Sequence, residues 1–156
     1  MGTYPSSTHC LGESNWHIQL TPAFRQDIFR DTLTRELTVA YLLEAAKSLG
    51  IHVGAIECGS DHIHLFLQET RKVSVVSAVQ KLKGYSSYKM RKGHRSLFRQ
   101  KLWGKKFWSG GYFYQTVGTV TAASVKKYVE DGQAKHWEKQ DKQQMTLFNY
   151  SSSSSR

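Results

Sequence analysis

An alternating run, Asp61 to Leu67, constrains the fold of this chain more than any other stretch of its sequence. Successive side chains on a β-strand point to opposite faces of a sheet. The aliphatic residues of the run would therefore share one face and pack under helices, while His62 and His64 share the other with Phe66. Imidazoles two residues apart on a strand lie close enough to hold one metal ion. The pair alone is equally compatible with ordinary surface or core histidines, since a metal site normally needs a third ligand.

Further periodic segments predict a four-stranded antiparallel sheet with helices packed on one face. A turn at Gly59-Ser60 joins two of the strands into a hairpin, and Gly50 and Ser74 cap two of the helices. The order of strands and helices indicates an α/β (α+β) fold of the ferredoxin-like, split βαβ kind. Residues 94–108 read as an irregular loop. The predicted strands are Trp16–Thr21, Ile51–Cys58, Asp61–Leu67 and Tyr112–Val117, and the predicted helices are Thr34–Leu49, Ser74–Arg91 and Ser124–Glu130.

The length of 156 residues suggests one domain. We expect a flexible N-terminal arm over residues 1–14, the folded domain over 15–138 and a disordered, Ser-rich tail over 139–156. No segment approaches the ~20 apolar residues that span a bilayer, and the N-terminus lacks a signal-peptide pattern. A cytoplasmic location is the resulting expectation. The two cysteines, Cys10 and Cys58, fit neither a disulfide framework nor a zinc knuckle, so we expect two reduced thiols.

A formal net charge of +10 indicates a polyanionic partner. In the second predicted helix, Tyr85 and Tyr88 alternate with cationic residues. Such interleaving suits single-stranded nucleic acid, because bases stack on rings while cations hold phosphates. A merely solvated helix face explains the same pattern equally well. The cationic candidates for DNA contact are Lys81, Lys83, Lys89, Arg91, Lys92, Arg95, Lys105 and Lys106.

Five segments together carry a resemblance that covers most of the chain, from about Trp16 to Trp137. The chain resembles the single-tyrosine HUH transposases of small insertion sequences that move as single-stranded DNA. No single segment decides the match, but their order and spacing are specific. They are Trp16-His17-Ile18 with Pro22-Ala23-Phe24-Arg25, Glu57 with Asp61-His62-Ile63-His64-Leu65, Leu82-Lys83-Gly84-Tyr85-Ser86-Ser87, Phe107-Trp108-Ser109-Gly110-Gly111-Tyr112, and Val125-Lys126-Lys127-Tyr128-Val129-Glu130.

The resemblance implies an HUH catalytic domain over residues 15–138, with roles for three side chains. His62 and His64 match the two histidines that hold a divalent metal, and Tyr128 matches the nucleophile, carried on the C-terminal helix. In that reaction the tyrosine oxygen attacks a DNA phosphodiester, leaving a 5′-phosphotyrosine and a 3′-hydroxyl. A phenol with a pKa near ~10 is a poor nucleophile unless a cation lies near its target. Without the resemblance, Tyr128 would read as a packing residue, and we expect His17 to be structural.

The third metal ligand is where the chain departs from the family pattern. The family places a glutamine four residues after the tyrosine, and here that position is Gly132. A local distortion at this glycine would bring Gln133 to the metal, which is the assignment we favour, while Asp131 is the alternative. The family works with Mg²⁺ or Mn²⁺. Imidazole ligands suit Mn²⁺ better than Mg²⁺.

The resemblance also implies partners. These are single-stranded DNA with hairpins at the element ends and a second copy of the chain, with each tyrosine acting across the subunit interface of a homodimer in a prokaryotic cell. Three other hypotheses remain at this point. They are a non-catalytic single-stranded nucleic-acid-binding module, a degenerate transposase copy, and a metal-dependent phosphodiesterase that uses water.

Overall fold

A computed structural model describes residues 6–7, 9–102, 106–118 and 127 of the chain. Its centre is a four-stranded antiparallel sheet in the spatial order β4-β5-β3-β6. If these four strands are numbered 1 to 4 along the chain, their spatial order is 2-3-1-4. This is the strand order of a ferredoxin-like fold. A separate pair of two-residue strands, β1 and β2, precedes it. The strands are β1 (Ser6–Ser7), β2 (Cys10–Leu11), β3 (Asn15–Leu20), β4 (His52–Cys58), β5 (Ile63–Gln68) and β6 (Phe113–Val117).

The described residues include three α-helices, of which the first two begin at side-chain caps. They are α1 (Thr32–Ser48), α2 (Val75–Gly93) and α3 (Arg95–Leu102), with short 3₁₀ turns at Ala23–Arg25, Ile28–Arg30 and Thr70–Lys72. The side chain of Asp31 accepts from the backbone of Thr34 to begin α1, and Ser74 accepts from Ser77 to begin α2. Gly50 takes a φ of 70° just beyond α1, a left-handed conformation that favours glycine.

The hydrophobic core lies between one face of the sheet and the helices. Ile18 of β3 and the aliphatic residues of β5 are fully buried there against Leu42 of α1 and Leu82 of α2. Trp108 is buried as well, and its indole nitrogen donates to Ser86 Oγ at 2.9 Å. The predicted fold class and the 58–63 hairpin are therefore confirmed, with β4 and β5 paired from Cys58 opposite Ile63.

The helices bury small residues and leave two larger aliphatic ones at the surface. Ala45 of α1 and Ala78 of α2 are fully buried, whereas Leu43 and Val76 are 40% and 51% exposed. The prediction of an irregular loop over residues 94–108 was wrong for α3. The predicted last helix lies outside the described residues, apart from Lys127. Among the described residues, every helix is too short or too polar to cross a bilayer.

Candidate active site

His62 and His64 lie together on the sheet face opposite the core. Their ring centroids are 5.0 Å apart and the rings are nearly perpendicular, at 87°. His62 is 2% exposed, whereas His64 is partly exposed. The alternation of β5 therefore places the two imidazoles side by side as predicted, although the ring of His62 is more enclosed than an open sheet face would make it.

Asp61 fixes the ring of His62 through a hydrogen bond. Its Oδ1 accepts from His62 Nδ1 at 2.7 Å, while its Oδ2 accepts from Arg25 Nε at 3.0 Å. Burial by itself would raise the pKa of Asp61, but the hydrogen bonds from His62 and Arg25 outweigh it and hold the pKa below the usual carboxyl range. A carboxylate that accepts from Nδ1 keeps the proton on that nitrogen and leaves the lone pair on Nε2. Metal-binding histidines usually have such a partner.

Gly59 lets the chain pass directly over the His62 ring. A Cβ built at this position would lie 2.3 Å from His62 Cε1 and 2.8 Å from both ring nitrogens. The Gly59 nitrogen also donates to the His62 carbonyl at 2.9 Å, which closes the turn between β4 and β5. The glycine predicted for its turn thus also shapes the histidine pocket.

His17, for which the sequence analysis expects a structural role, contacts the histidine pair. Its Nε2 lies 2.8 Å from Nδ1 of His64, and the two rings stack with centroids 5.0 Å apart and planes 21° apart. Burial lowers the pKa of His17 below the usual imidazole value. The alternation of Trp16-His17-Ile18 indicates that His17 lies on the face opposite the core, but not that it contacts His64.

The remaining predicted chemistry falls outside the described residues. Tyr128, Asp131 and Gln133 belong to this part. Within the described ranges, no group of three His, Cys, Asp or Glu side chains is arranged to hold a metal. The described part supplies two imidazoles whose Nδ1 atoms are both in hydrogen bonds. This donor set fits the two-histidine portion of a divalent-metal site.

Some of the predicted DNA-contact residues contact other parts of the protein, and others lie at the surface. Lys83 is occupied inside the protein, since its Nζ donates to the carbonyls of Ser109 and Gly111 at 2.8 Å each, and burial lowers its pKa. Lys89 lies over the rings of Tyr41 and Tyr85. Side chains at the surface are Lys81, Arg91, Lys92, Arg95 and Lys106, and Lys105 is outside the described residues.

Sequence comparison decides the family. Residues 10–132 match the family described as IS200-like transposases. The chain belongs to that family. It is 30% identical over 130 residues to the transposase for insertion sequence element IS200 of Salmonella typhimurium, a match that covers 83% of this chain and 84% of the relative.

Two solved structures of transposases share the fold. A candidate transposase from Deinococcus radiodurans R1 superposes with a TM-score of 0.65 at 24% identity, covering 81% of this chain and 96% of the other. A REP-associated tyrosine transposase bound to a REP hairpin gives a TM-score of 0.57 at 12% identity, covering 88% and 76%. At these identities the structural likeness speaks for the fold, while the family match identifies the chain as a transposase.

Proposed function

We propose that this IS200-like transposase cuts and rejoins single-stranded DNA at the ends of its element through a covalent bond to Tyr128. The observation that carries the proposal is the His62 and His64 pair, set on one sheet face with Asp61 behind His62. A module that only binds nucleic acid has no need of paired imidazoles whose ring nitrogens are fixed by further side chains. The same support argues against a degenerate copy at this part of the site.

The proposed reaction is a transesterification that balances without ATP or water. The phenolic oxygen of Tyr128 forms a bond to the phosphorus of the scissile phosphodiester, and the bond from phosphorus to the 3′ oxygen breaks. The phenol loses a proton and the released 3′-hydroxyl carries one. Strand joining runs the same exchange in reverse, when a 3′-hydroxyl attacks the phosphotyrosine. Because each step exchanges one phosphodiester bond for another, its free-energy change is close to zero.

We place the divalent metal on His62 and His64, with Gln133 as the third ligand and Asp131 as its alternative. Bound there, Mg²⁺ or Mn²⁺ would supply positive charge to the scissile phosphate and polarise it. The chain's own contribution is to hold two imidazoles in fixed orientation, through Asp61 on one of them. The hydrogen bonds from His62 and Arg25 hold the pKa of Asp61 below its usual range, and the ionised carboxylate keeps the proton of the His62 ring on Nδ1.

The DNA-contact surface we propose is the exposed face of α2 from Lys81 onward, with the start of α3. Tyr88 is 55% exposed there, and the Lys92 ammonium lies 3.1 Å from its hydroxyl and 5.5 Å from the ring centroid. An exposed ring beside cations suits unpaired bases and phosphates. One structural neighbour is bound to a REP hairpin, and we extend hairpin recognition to this chain. The reaction would take place on DNA in the cytoplasm of a prokaryotic cell.

We further propose a homodimer in which each tyrosine serves the partner's histidines. Within the described part of the chain, β4 forms an edge of the sheet whose outer side has no strand beside it. An edge strand is a template for pairing with another chain. A groove of about 460 Å³ runs beside it against α1 and includes apolar side chains of Val39, Leu43 and Ile56. This edge and groove are where we place the interface.

The proposed nucleophile is tested with single-stranded oligonucleotides copied from both flanks of the element and labelled at the 3′ end. A 5′-phosphotyrosine keeps the 3′-labelled fragment on the protein, so the adduct is visible on a denaturing gel. Tyr128→Phe should abolish the adduct while DNA binding stays largely intact. Tyr114→Phe is the matched control, because Tyr114 lies half-exposed on β6, and it should form the adduct normally.

Each other outcome points to a different function. An adduct that persists in Tyr128→Phe would show that another residue is the nucleophile. Cleavage by the wild-type protein without any adduct would indicate a phosphodiesterase that uses water. Binding of the oligonucleotides with neither cleavage nor adduct, in the presence of Mn²⁺, would leave a nucleic-acid-binding module.

A further inference from the structure

His17 and His64 form a contact that the proposed reaction does not yet use. The two residues lie on neighbouring strands, and the β3–β5 register pairs His64 with Gln19, which puts His17 diagonally across from it. Diagonal neighbours are within reach when the side chains are long or aromatic. The resulting distance of 2.8 Å between Nε2 of His17 and Nδ1 of His64 is that of a hydrogen bond.

The contact repeats, on the second histidine, what Asp61 does on the first. In each case Nδ1 of a candidate ligand meets a polar atom of the protein, Asp61 Oδ1 at 2.7 Å or His17 Nε2 at 2.8 Å. Metal-binding histidines usually have their second nitrogen held in this way, and the partner decides which nitrogen carries the proton. The site therefore has two supporting residues, one charged and one neutral.

The direction of the His17 hydrogen bond follows from what a metal requires. A ligating imidazole nitrogen must be unprotonated, so a metal on His64 Nε2 requires the His64 proton to be on Nδ1. That proton then points at His17 Nε2, which must accept it with a lone pair. His17 in turn carries its own proton on Nδ1. One tautomer of each ring satisfies the contact and the metal together.

We propose that His17 is a positioning residue for the metal site, accepting at Nε2 the Nδ1 proton of His64 and so directing the Nε2 lone pair of His64 to the metal. The inference rests on the proposed function for the identity of the ligands. It differs from the expectation that His17 is only structural. The ring of Phe113 meets His17 edge-on, with centroids 6.1 Å apart and planes 72° apart, and it limits the rotation of His17.

A neutral acceptor suits a site that must also admit a phosphodiester. Asp61 already brings one negative charge close to His62. A carboxylate at position 17 would add negative charge that repels the DNA phosphate. Imidazole orients the ligand without that repulsion.

The first test reads the tautomers directly in the protein without metal. Long-range nitrogen-15 to proton correlation spectra at about pH 8, above the usual imidazole pKa, distinguish a protonated Nδ1 from a protonated Nε2. We expect the Nδ1–H form for both His17 and His64 in the wild-type protein. A His64 ring protonated on Nε2 would overturn the proposal, and this measurement needs no variant and no activity.

The second test measures Mn²⁺ affinity by electron paramagnetic resonance titration. His17→Phe keeps an aromatic ring but removes the acceptor, and we expect an affinity loss of about 10–100-fold. His17→Gln retains an acceptor oxygen and should recover part of the loss, which also guards against a folding defect in the first variant. His52→Phe is the control, because His52 is an exposed histidine at the start of β4.

The outcomes separate this inference from the proposed function. Equal Mn²⁺ affinity in wild type and His17→Phe would overturn the positioning role and leave the metal site standing. No Mn²⁺ binding by the wild-type protein would overturn the metal site itself. Electron spin echo spectra showing three coordinated imidazoles would make His17 a ligand and so contradict the proposal, whereas two imidazoles support it.

Discussion

At the scale of single residues, the pocket around His62 depends on the absence of a side chain at Gly59. Gly59 sits where any Cβ would overlap the imidazole, with distances of 2.3–2.8 Å to three ring atoms. Those atoms belong to a buried ring whose other side is tied to Asp61. The ring therefore cannot move away from a new methyl group without breaking the hydrogen bond that sets its tautomer.

Gly59→Ala should consequently displace His62 and damage both stability and metal binding. Overpacking of this kind lowers the free energy of unfolding by about 1–3 kcal/mol. A displaced ligand should also weaken Mn²⁺ binding by about tenfold or more, as loss of a supporting contact does. Urea unfolding and Mn²⁺ titration measure the two effects.

Gly84→Ala is the matched control within the same protein. Gly84 lies inside α2, and a Cβ built there meets no atom of the described residues within 4 Å outside the backbone of its own helix. Because alanine favours helix over glycine, this variant should raise the free energy of unfolding by about 1 kcal/mol and leave Mn²⁺ affinity unchanged. Equal effects of the two substitutions would show that the close approach over His62 has no consequence.

The two histidines of one strand could be predicted from sequence, but the third could not be assigned. Alternation within Asp61 to Leu67 is local, so it places His62 and His64 on one face without knowledge of the fold. The contact between His17 and His64 spans 47 positions and depends on the register of two strands. Register across such a distance is set by the packed core rather than by any local pattern.

At the scale of elements, the basic helix α2 serves both the fold and, in our proposal, the DNA. Lys81 is exposed on its surface, whereas the Lys83 ammonium donates to the carbonyls of Ser109 and Gly111 and so ties the segment before β6 to the helix. Two lysines two positions apart on a helix do not face the same way. Their removal should therefore have different consequences.

Lys81→Met should weaken binding of single-stranded DNA in a salt-dependent way. Each lost phosphate contact reduces the slope of log affinity against log salt by about 0.7 for single strands. Lys83→Met should leave that slope unchanged and instead lower the free energy of unfolding by about 1 kcal/mol, since it removes two hydrogen bonds from a partly exposed charge. Fluorescence anisotropy at several salt concentrations and urea unfolding provide the two readouts.

The reverse pattern would contradict the assignment of these lysines. A reduced slope in Lys83→Met with normal stability would return Lys83 to the DNA surface. The sequence could not separate the two residues, because their cationic side chains look alike in a run of charges. It also missed α3, whose eight residues are too few and too charged to give a clear apolar stripe.

At the scale of the whole molecule, the element order was enough to predict the sheet and its class. A β-hairpin over residues 52–68 and two long helices leave few ways to bury their apolar faces, and the observed order β4-β5-β3-β6 is one of them. The order of elements does not specify how two copies of the chain assemble. A site built from two chains leaves no periodic signature in one sequence.

The proposed sharing of sites between subunits makes a sharp prediction about mixed dimers. One parent carries Tyr128→Phe with intact histidines, and the other carries His62→Ala and His64→Ala with an intact tyrosine. Each parent alone should form no adduct. If the tyrosine acts across the interface, a mixed dimer contains one complete site, and an equal mixture should recover about a quarter of wild-type adduct formation.

A tyrosine that serves its own histidines gives the opposite result, since every site in the mixed dimer would then lack one component. No recovery, despite subunit exchange verified with differently tagged chains, would contradict the shared site. Leu43→Glu in both parents tests where the chains meet. It sets a charge in the groove beside β4, so recovery should disappear as the dimer dissociates. Recovery that survives this charge would place the interface elsewhere on the molecule, because a buried glutamate without a partner costs several kcal/mol of association free energy.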